Sequence, residues 1–263
     1  MKIVVCVKFV PDAQQGPRFA ADLTTDRAGV AGHLSELDEY AVEEALTIAA
    51  AQAGSTVTVL TVGPDLAAEA IRKSLQMGAD AGAHVLDDAL HGSDAPATSL
   101  VLAAAVGKLE PDLVITGMAS TDGAMSVVPA MLADRLGLPQ LTFAGAVEVS
   151  TDGSGGTVRI ERDGDTSTEV IEASLPAVVS VTDQINTPRY PSFKGIMAAK
   201  KKPVQTWSLA DLGIVPEQVG ASAAWTVVDD VTARPPRQAG QVVPDDGEGG
   251  RKLVDFLVGA KLV

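Results

Sequence analysis

Val57-Thr58-Val59-Leu60-Thr61-Val62, followed at once by Gly63-Pro64-Asp65, is the stretch on which the fold turns. A short, apolar, β-branched run of this kind suits a strand covered on both faces, the condition of a parallel sheet. Gly63-Pro64-Asp65 then opens a helix from about Leu66 to Met77, which stops at Gly78. Strand, break, helix, glycine: the same sentence is written on both sides of it.

Upstream, Ile3-Val4-Val5-Cys6-Val7 is another continuous run. A polar stretch with Gly16, Pro17, Gly29 and Gly32 separates it from a helical pattern over Ser35 to Ala53. There Leu37, Tyr40, Ala41, Ala45, Ile48 and Ala49 recur at three and four, Glu43 and Glu44 are expected on a solvated face, and Gly54 is the stop. Downstream come a strand at Ala83 to Leu86 and an Ala/Leu/Val helix introduced by Ser93-Asp94-Ala95-Pro96 and ending near Leu109. Leu113-Val114-Ile115-Thr116 is a fourth strand that breaks at Gly117, and Met125 to Leu136 reads as a helix closed by Gly137. Four strand–helix units predict an α/β fold, a Rossmann-like parallel sheet with right-handed crossovers and helices on both faces. A helical bundle with apolar loops is the alternative, and the regular Gly and Pro boundaries argue against it.

After Phe143 the period changes. Val147 to Val149, Val158 to Arg162 and Thr168 to Glu172 alternate, with turns at Asp152-Gly153-Ser154-Gly155-Gly156 and Asp163-Gly164-Asp165. These predict a small antiparallel extension over about 144–173, each strand with one wet face. Ala177-Val178-Val179-Ser180-Val181 returns the chain to the main sheet. A body of 1–185 follows. Beyond Asn186 the chain turns to Pro, Lys, Gly and acidic residues, closing with a short apolar-faced helix at Lys252 to Val258. An extended arm with one terminal helix is not a self-contained domain; it is expected to wrap a second subunit.

Charge narrows the function. Twenty basic against 34 acidic residues leave a net charge of −14, which disfavours nucleic acid and anionic lipid. One cysteine excludes a disulfide framework and a thiolate cluster, three scattered histidines leave little for a zinc site, and no run reaches membrane-spanning length. The start lacks the composition of a signal peptide, so a cytoplasmic, non-membrane protein is expected.

Ligands of open parallel sheets bind beyond the carboxyl ends of the strands. The loops there begin at Lys8, Gly63 and Gly117, and none is a G-x-G-x-x-G or Walker A loop. Gly117-Met118-Ala119-Ser120-Thr121-Asp122-Gly123-Ala124-Met125-Ser126 is the strongest candidate. It reads either as a phosphate cradle of small residues, hydroxyls and helix N–H groups or as an ordinary Ser/Thr/Asp cap and turn. Cys6, mid-strand, reads as a buried small hydrophobe, and His33, His84 and His91 as structural or solvent-facing. No catalytic constellation can be assembled.

Five of the eleven lysines and arginines beyond Arg159 fall between Arg189 and Lys202. In Asn186-Thr187-Pro188-Arg189-Tyr190-Pro191-Ser192-Phe193-Lys194-Gly195-Ile196-Met197 and Lys200-Lys201-Lys202-Pro203, prolines stiffen a loop whose apolar tip is ringed by positive charge. That suits either an encounter surface for acidic partners or a solvated lysine run.

The pattern Asn186-x-Pro188-Arg189-Tyr190-x-Ser192-x-x-Gly195-Ile196, with the lysine run and Asp211-Leu212-Gly213, resembles the electron transfer flavoprotein beta subunit family. So do Val5-x-Val7-Lys8, Ala41-Val42-Glu43-Glu44-Ala45, Gly63-Pro64, Met77-Gly78-Ala79-Asp80 and Leu175-Pro176-Ala177-Val178. The resemblance spans essentially the whole chain. It implies a domain of the adenine nucleotide alpha-hydrolase-like type that holds AMP as a structural ligand. The chain would pair with a larger alpha subunit that carries most of one FAD. The dimer would accept electrons from flavin dehydrogenases such as the acyl-CoA dehydrogenases of fatty acid oxidation. It would pass them to a quinone oxidoreductase, as a carrier and not an enzyme with its own substrate.

Carried over by position, the resemblance places AMP contacts at Cys6, at Ser35, Glu36, Leu37 and Asp38, at Val62, and along Gly117, Met118, Ala119, Ser120, Thr121, Asp122, Gly123, Ala124, Met125, Ser126, Val127 and Val128. The phosphate would rest on backbone N–H groups without a lysine. Partner recognition falls on Arg189, Tyr190, Pro191, Ser192, Phe193, Lys194, Gly195, Ile196, Met197, Lys200, Lys201 and Lys202. The implied division is 1–185 for the nucleotide domain, 186–203 for the recognition loop, and 204–263 for an arm on the alpha subunit. Phe193 stands where many members have leucine, Ala13 where some have a flavin-facing tyrosine, and Ser120 to Met125 where many have an acidic run. No flavin contact is therefore assigned to this chain. An electron-bifurcating type with a second FAD replacing AMP, a nucleotide sensor of the same fold and a nucleotide-hydrolysing enzyme are the alternatives.

Overall fold

The computed structural model describes residues 1–16, 18–151, 155–237, 240 and 242–263, so Pro17 and the centre of the turn expected over 152–156 lie outside the described residues. In chain order the elements begin with β1 (Lys2–Cys6), β2 (Phe9–Pro11), β3 (Gly32–Leu34), α1 (Glu36–Ala51), β4 (Thr56–Val62), α2 (Ala68–Met77) and β5 (Ala81–Val85). Then follow α3 (Ala95–Leu109), β6 (Leu113–Gly117), α4 (Val128–Leu136), β7 (Gln140–Ala144), β8 (Ala146–Thr151), β9 (Gly156–Asp163) and β10 (Thr168–Ser174). The last are β11 (Ala177–Val181), α5 (Phe193–Ala199), β12 (Val204–Trp207), α6 (Gly220–Ala223) and α7 (Gly249–Gly259).

The central sheet runs β12-β5-β4-β1-β6-β11-β7, and every pairing in it is parallel. Its strands feed two cores in alternation. Ile3, Val5, Val57, Val59, Leu113 and Ile115 pack with α1 and α2, while Val4, Leu60 and Val114 face α3 and α4. That two-sided burial is why the strands are apolar without a break. β8, β9 and β10 form the expected antiparallel extension, with Val158 and Ile160 tucked into the first core.

Five elements depart from the sequence reading. β7 extends the main sheet beyond β11, and β2 pairs with β3 in a short hairpin. The basic loop contains a helix, α5, over Phe193–Ala199. β12 adds to the sheet edge beside β5, and Trp207, Leu209, Ile214 and Val219 are buried in the second core. Residues 204–229 thus belong to the compact unit Met1–Asp229, and the second unit is Asp230–Val263. The reason is composition: four large apolar residues suffice to seat a segment otherwise rich in small and polar ones. In the second unit α7 leaves Leu253, Val254, Phe256 and Val258 exposed. Among the described residues no helix is long and apolar enough to cross a membrane, and no three His, Cys, Asp or Glu residues could hold a metal.

Candidate functional site

Chain order reverses beside β1. The chain steps from β1 outward to β4 and β5, then resumes on the other flank with β6. This reversal puts the carboxyl ends of β1 and β6 at the crevice where such sheets bind ligands.

Three segments converge on it. Ser35, fully buried, precedes α1, but its hydroxyl is not spent on capping that helix; it accepts from Thr121 N at 3.4 Å. Asp38, one turn on, accepts from Lys8 N at 2.8 Å and from Gly117 N, tying α1 to the ends of both strands. Gly117 permits this approach: a Cβ there would lie 2.7 Å from Asp38 Oδ1 and 2.9 Å from Leu37 O. Burial pushes the Asp38 carboxyl up to about 7, against the pull of the Lys8 and Gly117 N–H groups. Burial, with the Asp38 charge beside it, raises the Cys6 thiol to about 12, which keeps it neutral.

The loop after β6 is shaped by polar contacts. Lys8 Nζ reaches Asp122 Oδ1 at 2.8 Å and Ser120 Oγ at 3.4 Å, and Arg27 grips Asp122 Oδ2 at 2.5 Å. Asp122, its side chain 6% exposed, also accepts from Gly123 N at 2.7 Å. Burial acts to raise that carboxyl, but Lys8, Ser120 and Arg27 outweigh it and hold it well below the carboxylate range. Ala124 and Ser126 take left-handed backbone, φ 49° and 56°. That conformation is costly for residues with a Cβ, and it delays α4 from the expected Met125 to Val128. α4 therefore starts directly after the loop, and of its first residues Val128 and Ala130 carry N–H groups without helical partners, Pro129 having none.

The structure brings together Cys6, Ser35 to Asp38, Val62 at the end of β4, and the 117–128 loop. Two contributors were not among the expected site residues. Lys8 and Arg27 supply cations to a site expected to rely on backbone amides alone, and their partner lies 114 and 95 positions away. The donor set fits a phosphate-bearing ligand. It combines helix N–H groups and two cations with the Thr116 hydroxyl, which is buried without a partner between β1 and β11.

The basic segment is a second feature. Tyr190 is 93% and Phe193 80% exposed, and Met197 and Ile196 are exposed beside them. Ser192 caps α5 by accepting from Gly195 N at 3.0 Å, and Pro191 leads into that cap. Two of the cations expected at the surface are engaged within the chain. Arg189 is forked onto Glu43 at 2.7 and 2.8 Å, and Lys202 Nζ donates to Leu75 O and Gly78 O at 3.0 and 3.1 Å. Lys194, Lys200 and Lys201 form the exposed positive face. Glu43 and Glu44, expected in solvent, are both buried: Arg189 answers Glu43, and Asn186 Nδ2 donates to Glu44 Oε2 at 3.1 Å. His84 is buried on Gly63 O, while His33 and His91 pair with Glu36 and Asp22 at the surface.

Comparison with known proteins decides the family. The electron transfer flavoprotein domain matches residues 22–212. The electron transfer flavoprotein subunit beta of Mycobacterium tuberculosis (strain H37Rv) is 46% identical over 99% of both chains. That of Megasphaera elsdenii is 32% identical over 98% of this chain and 97% of its own. The caffeyl-CoA reductase-Etf complex subunit CarD of Acetobacterium woodii is 34% identical over 92% of each.

The chain belongs to the electron transfer flavoprotein beta subunit family. Membership gives the chain a role in electron transfer and an alpha subunit as its implied partner. Within the family match fall most of the crevice, from Arg27 to the 117–128 loop, and the basic segment around α5.

Proposed function

We propose that this chain is the AMP-holding half of a heterodimeric electron carrier. In this reading it binds AMP in the crevice between β1 and β6, completes a dimer with the alpha subunit, and receives flavin dehydrogenases on α5. The observation that carries the reading is the convergence of Lys8, Arg27 and the start of α4 around the 117–128 loop. A dianionic phosphate there would meet amide dipoles and two cations already oriented by Asp122. AMP is a structural ligand in this proposal: among the described residues no three His, Cys, Asp or Glu residues could hold a metal, and burial keeps the Cys6 thiol neutral.

The FAD of the dimer, when bound, supplies the one- and two-electron chemistry; it would sit mainly on the alpha subunit. What this chain's residues do is orient and admit. The exposed ring of Phe193, with Tyr190 and Met197, gives an acyl-CoA or related dehydrogenase an apolar foothold. Lys194, Lys200 and Lys201 steer an acidic partner toward it. Onward transfer to a quinone oxidoreductase would use the same dimer.

Co-expression with the alpha subunit, followed by mass spectrometry of the released small molecules, tests the assignment. One AMP and one FAD per dimer is the expected result. Two FAD molecules would place the chain with the electron-bifurcating type, and a dimer without any adenylate would overturn the reading of the crevice.

A further inference from the structure

The exposed apolar residues of α5 raise a physical question: what aims them? A surface helix is ordinarily fixed by burying one face, yet of α5 only Ala199 is buried. Tyr190 and Phe193 are almost wholly exposed, and Ile196 and Met197 partly so. Beyond Ala199, hydrophobic burial therefore does little to hold the segment in place.

Polar contacts do more. At the entrance, Arg189 makes three hydrogen bonds to Glu43: Nε to Oε2 at 2.7 Å, a terminal nitrogen to Oε1 at 2.8 Å, and its backbone N to Oε2 at 3.1 Å. Three residues earlier, Asn186 Nδ2 donates to Tyr40 O and to Glu44 Oε2, each at 3.1 Å. Both attachments land on α1, on adjacent turns. At the exit, Lys202 Nζ holds the carbonyl of Leu75 in the last turn of α2 and that of Gly78 just beyond it. Between them α5 lies against α2 at Gly195, where a Cβ would come within 2.5 Å of Gln76 O. Glu43 is buried, and a buried carboxylate persists only where it is paired with good geometry; the bidentate fork supplies that. A fork also fixes direction, which a point charge does not.

We infer that Glu43 is the positioning residue for the docking helix: with Asn186 held by Tyr40 and Glu44, the Glu43–Arg189 fork sets the direction in which α5 presents Phe193 to an electron-donating partner. The inference rests on the docking role proposed above. Glu43 itself touches no partner; it acts through Arg189. The same helix, α1, starts at Ser35 and Asp38 in the crevice, so one rigid element carries both the nucleotide contacts and the aim of the docking helix.

The test uses the dimer co-expressed with the alpha subunit, reduced by a flavin-dependent acyl-CoA dehydrogenase, with the dimer concentration varied. Glu43→Gln keeps the shape of the side chain and removes its charge. Its apparent KM as electron acceptor is expected to rise by about tenfold with kcat, FAD content and AMP content unchanged. Arg189→Lys, which keeps a charge beside Glu43 but loses the fork, should show a smaller rise and serves if Glu43→Gln does not fold. Phe193→Ala runs alongside. If Phe193→Ala raises KM and a folded Glu43→Gln, or in its place Arg189→Lys, leaves KM at the wild-type value with only a lower melting temperature, the positioning role is overturned. If Phe193→Ala itself leaves KM unchanged, the docking reading fails and the positioning role falls with it.

Discussion

Lys8 and Asp122 meet at 2.8 Å across the mouth of the sheet, although 114 positions separate them in the chain. The contact, shared with Arg27, holds the 117–128 loop open in a conformation that costs two left-handed residues. Asp122 is thus a carboxylate stabilised by the fold, held well below its ordinary value of 3.8.

A depressed pKa stabilises the folded state above the unfolded value and loses that contribution as pH falls through the folded one. Urea unfolding of the wild type and of Asp122→Asn should therefore differ by about 1 to 3 kcal/mol near neutrality. The gap should close as pH drops below the ordinary value of 3.8. A gap that persists unchanged in acid would mean that the Lys8 and Arg27 contacts do not set the charge state of Asp122.

Asp38 has the opposite sign. Burial raises its carboxyl to about 7, so the folded state prefers the proton that the unfolded chain has released above 3.8. The cost is absent in acid, grows as pH rises from 3.8 to about 7, and is constant above that. Relative to Asp38→Asn, the wild type should lose about 2 to 4 kcal/mol over that interval. Asp38→Asn carries its own offset, because one amide group must face the Lys8 or Gly117 N–H, but that offset does not vary with pH. Thermal unfolding across the interval reads the difference directly; parallel curves would refute the assignment.

The sheet was legible because a strand buried on both faces has no option but an unbroken apolar run, as at Val57 to Val62 and Leu113 to Thr116. β7 was not. Its Phe143 takes φ 60° and stands partly exposed at the sheet edge, so Gln140 to Ala144 lacks the continuous run that marked its neighbours. α5 hid behind Pro191, Gly195 and lysines, residue types that argue for a loop; its helix is capped by Ser192 and seated on α2 through the glycine. The buried Glu43 and Glu44 were unreadable for a different reason. Two adjacent acids on a helix look solvated until their partners are known, and those partners, Arg189 and Asn186, lie more than a hundred residues on. In the crevice the small-residue loop was visible, whereas Lys8 and Arg27 became site residues only through the topology that carries them to Asp122.

The placement of residues 204–229 gives a truncation test. β12 hydrogen-bonds β5 along Val204–Trp207, Trp207 lies under the Lys108 ammonium at 5.3 Å, and Leu209, Ile214 and Val219 are buried. Ending the chain at Asp229 spares all of these, so far-ultraviolet circular dichroism should show a folded unit with a cooperative melt. Ending it at Pro203 strips four buried large side chains and uncovers the edge of β5, a loss of more than about 5 kcal/mol. That shorter chain should be unfolded or insoluble. A cooperative melt from the shorter chain would show that the segment is dispensable to the body.

The basic segment separates into cations that build and cations that steer, and salt distinguishes them. Exposed charges act over a screening length of about 8 Å at physiological ionic strength, so their contribution to encounter fades as salt rises. Lys194, Lys200 and Lys201 face solvent, whereas Lys202 caps the carbonyls of Leu75 and Gly78 at the end of α2 and Arg189 is bound to Glu43. In stopped-flow reduction of the dimer's flavin by an acyl-CoA dehydrogenase, the double variant Lys200→Ala with Lys201→Ala should slow the bimolecular rate at low salt by about three- to tenfold. Its salt slope should also be shallower than that of the wild type, and its melting temperature unchanged. Lys202→Ala should do the reverse, leaving the slope intact while lowering stability by about 1 kcal/mol through two uncapped carbonyls. Equal salt slopes for all three proteins would mean that the partner is not guided by this face at all.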